Sequence, residues 1–238
     1  MKNVFLTGEW RDLIMANYKV DPSILQKYLP YKTELDLLKG DCYVSLVGFM
    51  FLHVKLHGIK IPFHVNFPEV NLRFYTRYKA NGVWRRGVVF IREYVPKPAI
   101  ALVANYLYRE KYATALMRSS KQVGKDQLHV EYQWRIKNKW NTMQVDASVI
   151  PLVMAAGSGE EFITEHYWGY SLRNKYRTNE YGVEHPRWAI YTVNNYKIDC
   201  DFESVYGKDF GCLNNQSPET IFLAEGSEIL IREKTVLL

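Results

Sequence analysis

Three short stretches of this sequence crowd chemically able side chains together. The first is Phe67-Pro68-Glu69-Val70-Asn71-Leu72-Arg73. On a strand, Glu69, Asn71 and Arg73 face one way while Val70 and Leu72 face the other. Turned outward, that row is an ordinary solvated strand. Turned into an enclosed space, it brings a carboxylate and a guanidinium together as ligand sites do. The second stretch is Tyr108-Arg109-Glu110-Lys111-Tyr112. Buried, Lys111 would lose basicity by desolvation and offer a nucleophilic amine. At the surface, the same residues are a loop at a strand end. The third stretch is Glu165-His166-Tyr167-Trp168-Gly169-Tyr170, in which His166, Trp168 and Tyr170 share one strand face. A histidine between rings is either a hydrogen-bonded structural residue or a substrate contact, and His185 before Pro186 reads the same way.

Other chemistries lack their signatures. His53 and His57 have no paired carboxylate motif, and neither H-E-x-x-H nor H-x-x-E-H occurs, so no metal is expected. There is no G-x-x-x-x-G-K-[ST], no G-x-G-x-x-G and no G-x-S-x-G. A phosphate loop, a dinucleotide fingerprint and a nucleophile elbow are therefore absent, and no cofactor is expected.

The elements that must position these residues read mostly as strands. One early helix is marked by Asp21 as cap, Pro22 in the first turn and Pro30 as stop. Cys42–Phe51, Val70–Tyr78 and Val83–Glu93 follow as strands, the last two joined at Asn81-Gly82, a hairpin signal. After Pro96-Lys97-Pro98, the apolar run Ala99–Tyr106 continues the strand pattern. Leu128–Ile136 pairs with Trp140–Ile150 across Lys137-Asn138-Lys139. Ser158 with Glu161 forms a capping box for a helix over 159–164. Strands are expected over 165–174, 176–184 and 187–199, a helical turn at Phe202–Tyr206 and a last strand at Ile229–Val236. No repeat or linker breaks the chain, so one domain over 1–238 is expected. Its class is mainly β (α+β): a closed or nearly closed antiparallel barrel or sandwich with a few covering helices.

Bulk composition agrees. Hydrophobic residues make up 47% of 238 residues and aromatics 15%, enough for a continuous core with rings on pleated surfaces. The net charge of +6 is scattered, with Arg85-Arg86 the one arginine pair, so neither nucleic acid nor membrane is expected as a partner. No stretch approaches the roughly 18 apolar residues of a membrane helix. The start carries no sustained apolar segment, so no secretory leader is expected. Three cysteines without C-x-x-C fit a reducing, cytoplasmic setting.

Several segments together resemble the YqjF-like family of uncharacterised bacterial proteins over nearly the whole length. They are Glu9-Trp10-Arg11-Asp12-Leu13, Tyr28-Leu29-Pro30, the Phe67–Arg73 stretch, Arg86-Gly87-Val88-Val89-Phe90-Ile91-Arg92-Glu93, the Glu165–Tyr170 stretch, His185-Pro186-Arg187-Trp188 and Ala224-Glu225-Gly226-Ser227. Residues 9–115 also resemble, more distantly, acetoacetate decarboxylase, a cone-shaped β-barrel with a buried polar pocket. That enzyme forms a Schiff base on one of two adjacent lysines, whose crowded, desolvated site lowers the pKa of the attacking amine. The resemblance puts Arg11 on its pocket arginine, Glu69 on a pocket glutamate and Glu110-Lys111 where it has two lysines. A second pocket glutamate falls near Ser45. The resemblance thus implies a pocket built from Arg11, Glu69, Glu110 and Lys111.

Two functions follow as expectations. In one, the protein is an enzyme of lyase type acting on a small oxo-acid or related carbonyl compound. Arg11 holds a carboxylate, Lys111 attacks a carbonyl or stabilises an enolate, and Glu69 or Glu110 moves protons; Arg73, His166 and Tyr170 complete the substrate contacts. In the other, the same pocket binds a small, anionic or apolar molecule without turning it over. Self-association is left open.

Overall fold

The computed structural model describes residues 3–238. Runs rich in aromatic and β-branched residues become long strands, because such side chains pack well on a pleated surface. In chain order these are β1 (Val4–Val20), β2 (Glu34–Leu35), β3 (Cys42–Leu56), β4 (Phe67–Ala80), β5 (Val83–Val95), β6 (Tyr112–Thr114) and β7 (Leu116–Val123). They continue as β8 (Gln127–Ile136), β9 (Lys139–Val153), β10 (Trp168–Asn174), β11 (Arg177–Glu184), β12 (Ala189–Asp199), β13 (Thr220–Arg232) and β14 (Thr235–Leu237). Short helices join them: α1 (Pro22–Gln26), α2 (Pro98–Tyr108), α3 (Gly159–Thr164), α4 (Phe202–Tyr206) and a 3-10 helix at Lys208–Asn215.

Seven strands run in the order β11-β10-β5-β4-β3-β1-β13, and β13 pairs back to β11 at Val183↔Ile231 and Glu184↔Leu230. The ring makes this a mainly β, barrel-like fold with a few covering helices. Closure removes sheet edges and leaves an interior. Beyond β13, the sheet continues through β12, β9, β8 and β7 and lies against the outside of the ring. There Tyr132, Trp134 and Met143 pack with Ile14 and Leu46. The central strands are therefore buried on both faces, which explains why Cys42–Phe51 is apolar on both faces apart from the buried Ser45. Leu13 and Met15 face the barrel-side core, while Ile14 and Ala16 face the other.

Local signals are realised where short-range chemistry sets them. The Asp21 carboxylate accepts from the Ser23 amide at 2.8 Å to cap α1, and the Ser158 hydroxyl accepts from the Glu161 amide at 3.1 Å to cap α3. Asn81 and Gly82 both have positive φ in the β4–β5 hairpin, as do Lys137 and Asn138 between β8 and β9.

Other expectations need correction. The run Ala99–Tyr106 is helical: its alanines and leucines are good helix formers, Pro98 sits in the first turn, and Arg109 ends the helix in the left-handed region at φ 58°. Residues 4–20, where the local pattern marks no element, form one long strand at the centre of the ring. The last strand is two, β13 and β14, with β13 starting well before Ile229. The ring is not wholly antiparallel, because β10 runs parallel to β5 at Trp168↔Gly87 and Gly169↔Val88. The long excursion between them lets the chain re-enter from the same end.

Candidate functional site

A cavity of about 310 Å³ lies inside the ring. Its walls are mostly apolar, with Val47, Phe49, Val88, Val183 and Trp188 from the strand side and Ile100 from α2. Ile61, in the β3–β4 connection, also borders it and is 40% exposed, which marks the mouth.

The polar groups arrive by strand alternation modified by two bulges. Along β4, Phe67, Glu69, Asn71 and Arg73 all turn inward at a period of two. On β5, Val88 and Phe90 turn inward, the register to β4 shifts between Leu72 and Arg73, and Glu93 comes inward three residues after Phe90. The extra residue of that bulge brings Glu93 into the cavity. Parallel pairing of β6 with β5 sets Tyr112 opposite Glu93. Glu110, just ahead of β6, and Tyr181 on β11 complete one polar end.

At that end, three carboxyl groups meet two phenols. Glu69 Oε1 accepts from Asn71 Nδ2 at 3.0 Å, and Oε2 accepts from the Tyr112 hydroxyl at 3.0 Å. Glu110 Oε1 accepts from the Tyr181 hydroxyl at 2.9 Å. Glu93 Oε2 is buried without a hydrogen-bond partner. Desolvation pushes Glu69 up to about 7, against the bonds from Asn71 and Tyr112. It pushes Glu110 up to about 8. Glu93 rises well above the usual carboxyl range, first by burial and then by the charges of Glu110 and Glu69. Enclosed carboxyls within each other's field cannot all ionise, so protons are shared near neutral pH.

A second polar group lies further along β4. Arg73 is 9% exposed and lines the cavity. Its Nη2 donates to the Ile163 carbonyl at 3.3 Å, its Nε is buried without a partner, and no carboxylate among the described residues lies within ion-pairing distance. The guanidinium lies 5.8 Å from the Tyr75 ring centre, and the His166 ring packs on the same tyrosine at 4.7 Å. Cα positions four residues apart on a strand are about 13 Å apart, so Arg73 and Glu69 hold separate stations along the cavity.

Of the residues singled out in the sequence, Glu69, Glu110, Arg73 and His166 line the cavity. Lys111, Arg11 and Tyr170 do not. Glu110 and Tyr112 take the cavity side of an extended segment, so Lys111 between them turns away. Its Nζ stands 5.2 Å from the Tyr28 ring centre. Partial desolvation pushes its pKa down and the Glu110 charge opposes that, while the residue as a whole is solvent-exposed and outside the cavity. Arg11 alternates with Trp10, which faces in. A bulge at Asp12 (φ 56°) then brings Leu13 in, and Arg11 Nε donates to Glu9 at 2.8 Å. Tyr170 is fully buried in the other core, its hydroxyl 3.2 Å from the Arg85 carbonyl and 3.3 Å from Glu180. The pocket of Arg11, Glu69 and Lys111 is thus not assembled, because strand alternation puts two of the three on other faces.

Glu93, Tyr181 and Asp36 carry weight that the sequence reading missed. Only an acid within the apolar run of β5 hinted at Glu93, and strict alternation from Phe90 would have placed it outside. Among the described residues no lysine lines the cavity, and no cluster of His, Cys, Asp or Glu side chains is placed to hold a metal.

The seven-stranded ring shares its fold with acetoacetate decarboxylase-like proteins. The acetoacetate decarboxylase of Legionella pneumophila subsp. pneumophila str. Philadelphia 1 superposes with a TM-score of 0.66 at 13% identity, over 98% of this chain and 87% of its own. The enduracididine biosynthesis enzyme MppR, complexed with pyruvate, gives 0.70 at 11%, over 100% and 91%. An acetoacetate decarboxylase-like enzyme from Sphingomonas wittichii RW1 gives 0.63 at 12%, over 99% and 94%. At these identities the likeness is one of fold. Residues 7–228 match the DUF2071 model, described as an uncharacterized conserved protein, and the chain belongs to that family. It is 32% identical over 186 residues to the uncharacterized protein YqjF of Bacillus subtilis (strain 168), covering 76% of this chain and 73% of that one. No helix among the described residues is long and apolar enough to cross a membrane.

Proposed function

We propose that this protein binds a small, largely apolar carbonyl acid in the barrel cavity and moves protons on it with carboxyl groups, without a lysine adduct. The observation that carries this is one cavity holding three enclosed glutamates, an unpaired guanidinium and, among the described residues, no amine. Arg73 would take the carboxylate, since a buried guanidinium gains most from a charge-assisted pair. At the other end, an ionised carboxyl takes a proton from carbon beside the carbonyl. The electron pair moves onto the carbonyl oxygen, which accepts a proton from a neighbouring carboxylic acid or phenol. Groups titrating near neutrality suit both directions of that transfer. MppR, which shares the fold, has been seen with pyruvate, an oxo-acid, and that supports the ligand class.

The test is deuterium wash-in beside the carbonyl of a panel of oxo acids, running from 2-oxo and 3-oxo acids to longer acids whose carbonyl stands several carbons from the carboxylate, in heavy water, followed by NMR. The protein is expected to speed exchange for at least one acid, Glu110→Gln to slow it by roughly 10²-fold or more, and Lys111→Ala to leave it unchanged. Borohydride is expected to trap no adduct. Trapping on Lys111, or loss of exchange in Lys111→Ala, defeats the reading. The apolar walls favour one alternative, a binding protein without turnover. Its mark is thermal stabilisation by these acids, lost in Arg73→Met, with no exchange for any of them.

A further inference from the structure

Behind the cavity wall sits a group that this mechanism leaves idle. Asp36, 5% exposed, lies just after β2. Its Oδ2 accepts from Arg86 Nε at 2.6 Å and sits 3.1 Å from His166 Nε2. His166 has 1% of its side chain exposed and lines the cavity, and its Nδ1 has no hydrogen-bond partner. Burial alone would raise Asp36, but the bonds from His166 and Arg86 outweigh it and hold the carboxyl below its ordinary range. Burial drives His166 down to about 4, against the pull of Asp36. The pair is therefore a carboxylate beside a neutral imidazole. A neutral ring carries one proton, and the carboxylate claims it at Nε2.

We propose that Asp36 locks His166 in its Nε2–H tautomer, so that Nδ1 is a hydrogen-bond acceptor in the cavity and the bound molecule offers it a hydroxyl or an N–H. This rests on the cavity being a ligand site and narrows the ligand class. Arg73, beside the same Tyr75 ring, supplies a donor and His166 an acceptor. A bare carboxylate meets only the first. A hydroxy- or amino-bearing carboxylate meets both. An acceptor left unmatched in a buried site costs affinity, so the pair selects. Asp36 and Arg86 act as positioning residues, since neither lines the cavity.

Long-range ¹H–¹⁵N spectra of the ¹⁵N-histidine-labelled protein read the tautomer directly. His166 is expected with its proton on Nε2 and a free Nδ1. A proton on Nδ1, or an imidazolium at neutral pH, overturns the proposal without any variant. In Asp36→Asn, the amide can donate to Nε2, and the proton is expected to move to Nδ1. Phenol and fluorobenzene, near-isosteric probes that differ in one donor, test the cavity. Phenol is expected to shift the Nδ1 resonance of the unmodified protein, and its preference over fluorobenzene to fall by roughly two- to tenfold in Asp36→Asn. Equal preference in both proteins overturns the ligand half. If neither probe perturbs the Trp168 and Trp188 indole signals, the cavity is not a ligand site and the proposed function itself fails, while the tautomer still judges the role of Asp36.

Discussion

Arg73 brings a full charge into the cavity wall with one carbonyl bond, an aromatic face and no carboxylate partner. Such a group is costly to an empty protein and useful to an occupied one, because a ligand anion supplies the missing pair. Replacing it should then move stability and binding in opposite directions. Arg73→Met is expected to raise the unfolding free energy of the ligand-free protein by about 1–2 kcal/mol in urea titrations. The same variant is expected to abolish the thermal shift given by carboxylate ligands. A variant that is less stable and still responds to carboxylates would show that the guanidinium is a structural strut. At this scale the sequence was informative about residue types and poor on direction. Glu69, Asn71 and Arg73 announced a shared face by their spacing, but nothing local told inside from outside. Lys111 drew attention as an amine beside an acid, and a single step of alternation put the acid in and the amine out.

Elements whose ends are set by short-range chemistry were legible. Asp21-Pro22 and Ser158 with Glu161 start helices by satisfying free amides, and Asn81-Gly82 turns a hairpin because both residues tolerate positive φ. The two bulges were not legible, since each is defined only by register against a distant strand. They decide which way Arg11 and Glu93 face. Nor was α2, whose apolar composition suits a strand or a helix until its proline and left-handed Arg109 end are weighed. Pairing of β10 with β11 adds a further constraint that bears on the site. Gly169 lies opposite Tyr181, and a Cβ there would fall 2.1 Å from the tyrosine ring. The ring must lie across the glycine for its hydroxyl to reach Glu110. Gly169→Ala is therefore expected to cost about 1–3 kcal/mol, or more if the strand cannot yield. It is also expected to slow proton exchange as Glu110→Gln does, by displacing the phenol. Loss of stability with exchange intact would mean that the Tyr181–Glu110 bond has no part in the chemistry.

The ring as a whole makes burial compulsory for groups that would otherwise ionise, and that leaves a signature in the pH dependence of folding. Glu69 at about 7, Glu110 at about 8 and Glu93, also raised well above the ordinary carboxyl range, keep protons in the folded chain that an unfolded chain has released above about 4.5. Their contribution is complete below that value and is lost as pH climbs through the raised values, because the folded state binds more protons throughout. His166 acts in the opposite sense in a lower window. Depressed to about 4 from 6.5, it costs stability as pH falls between those values and has no influence above them. Asp36 and the other carboxylates held low by their partners act lower still. From about pH 6.5 to 8, therefore, the enclosed acids dominate. Unfolding free energy is expected to fall across that interval by on the order of 1–3 kcal/mol, and the fall to shrink in Glu110→Gln, which cannot release a proton. A carboxylate at Arg73 leaves the acids as they are. A ligand with a cationic end among the glutamates would release their protons on binding, which calorimetry in buffers of different ionisation enthalpy detects. A flat profile that is identical in Glu110→Gln would mean that the three carboxyls ionise freely through the mouth of the barrel, and the proton-transfer reading would lose its acids.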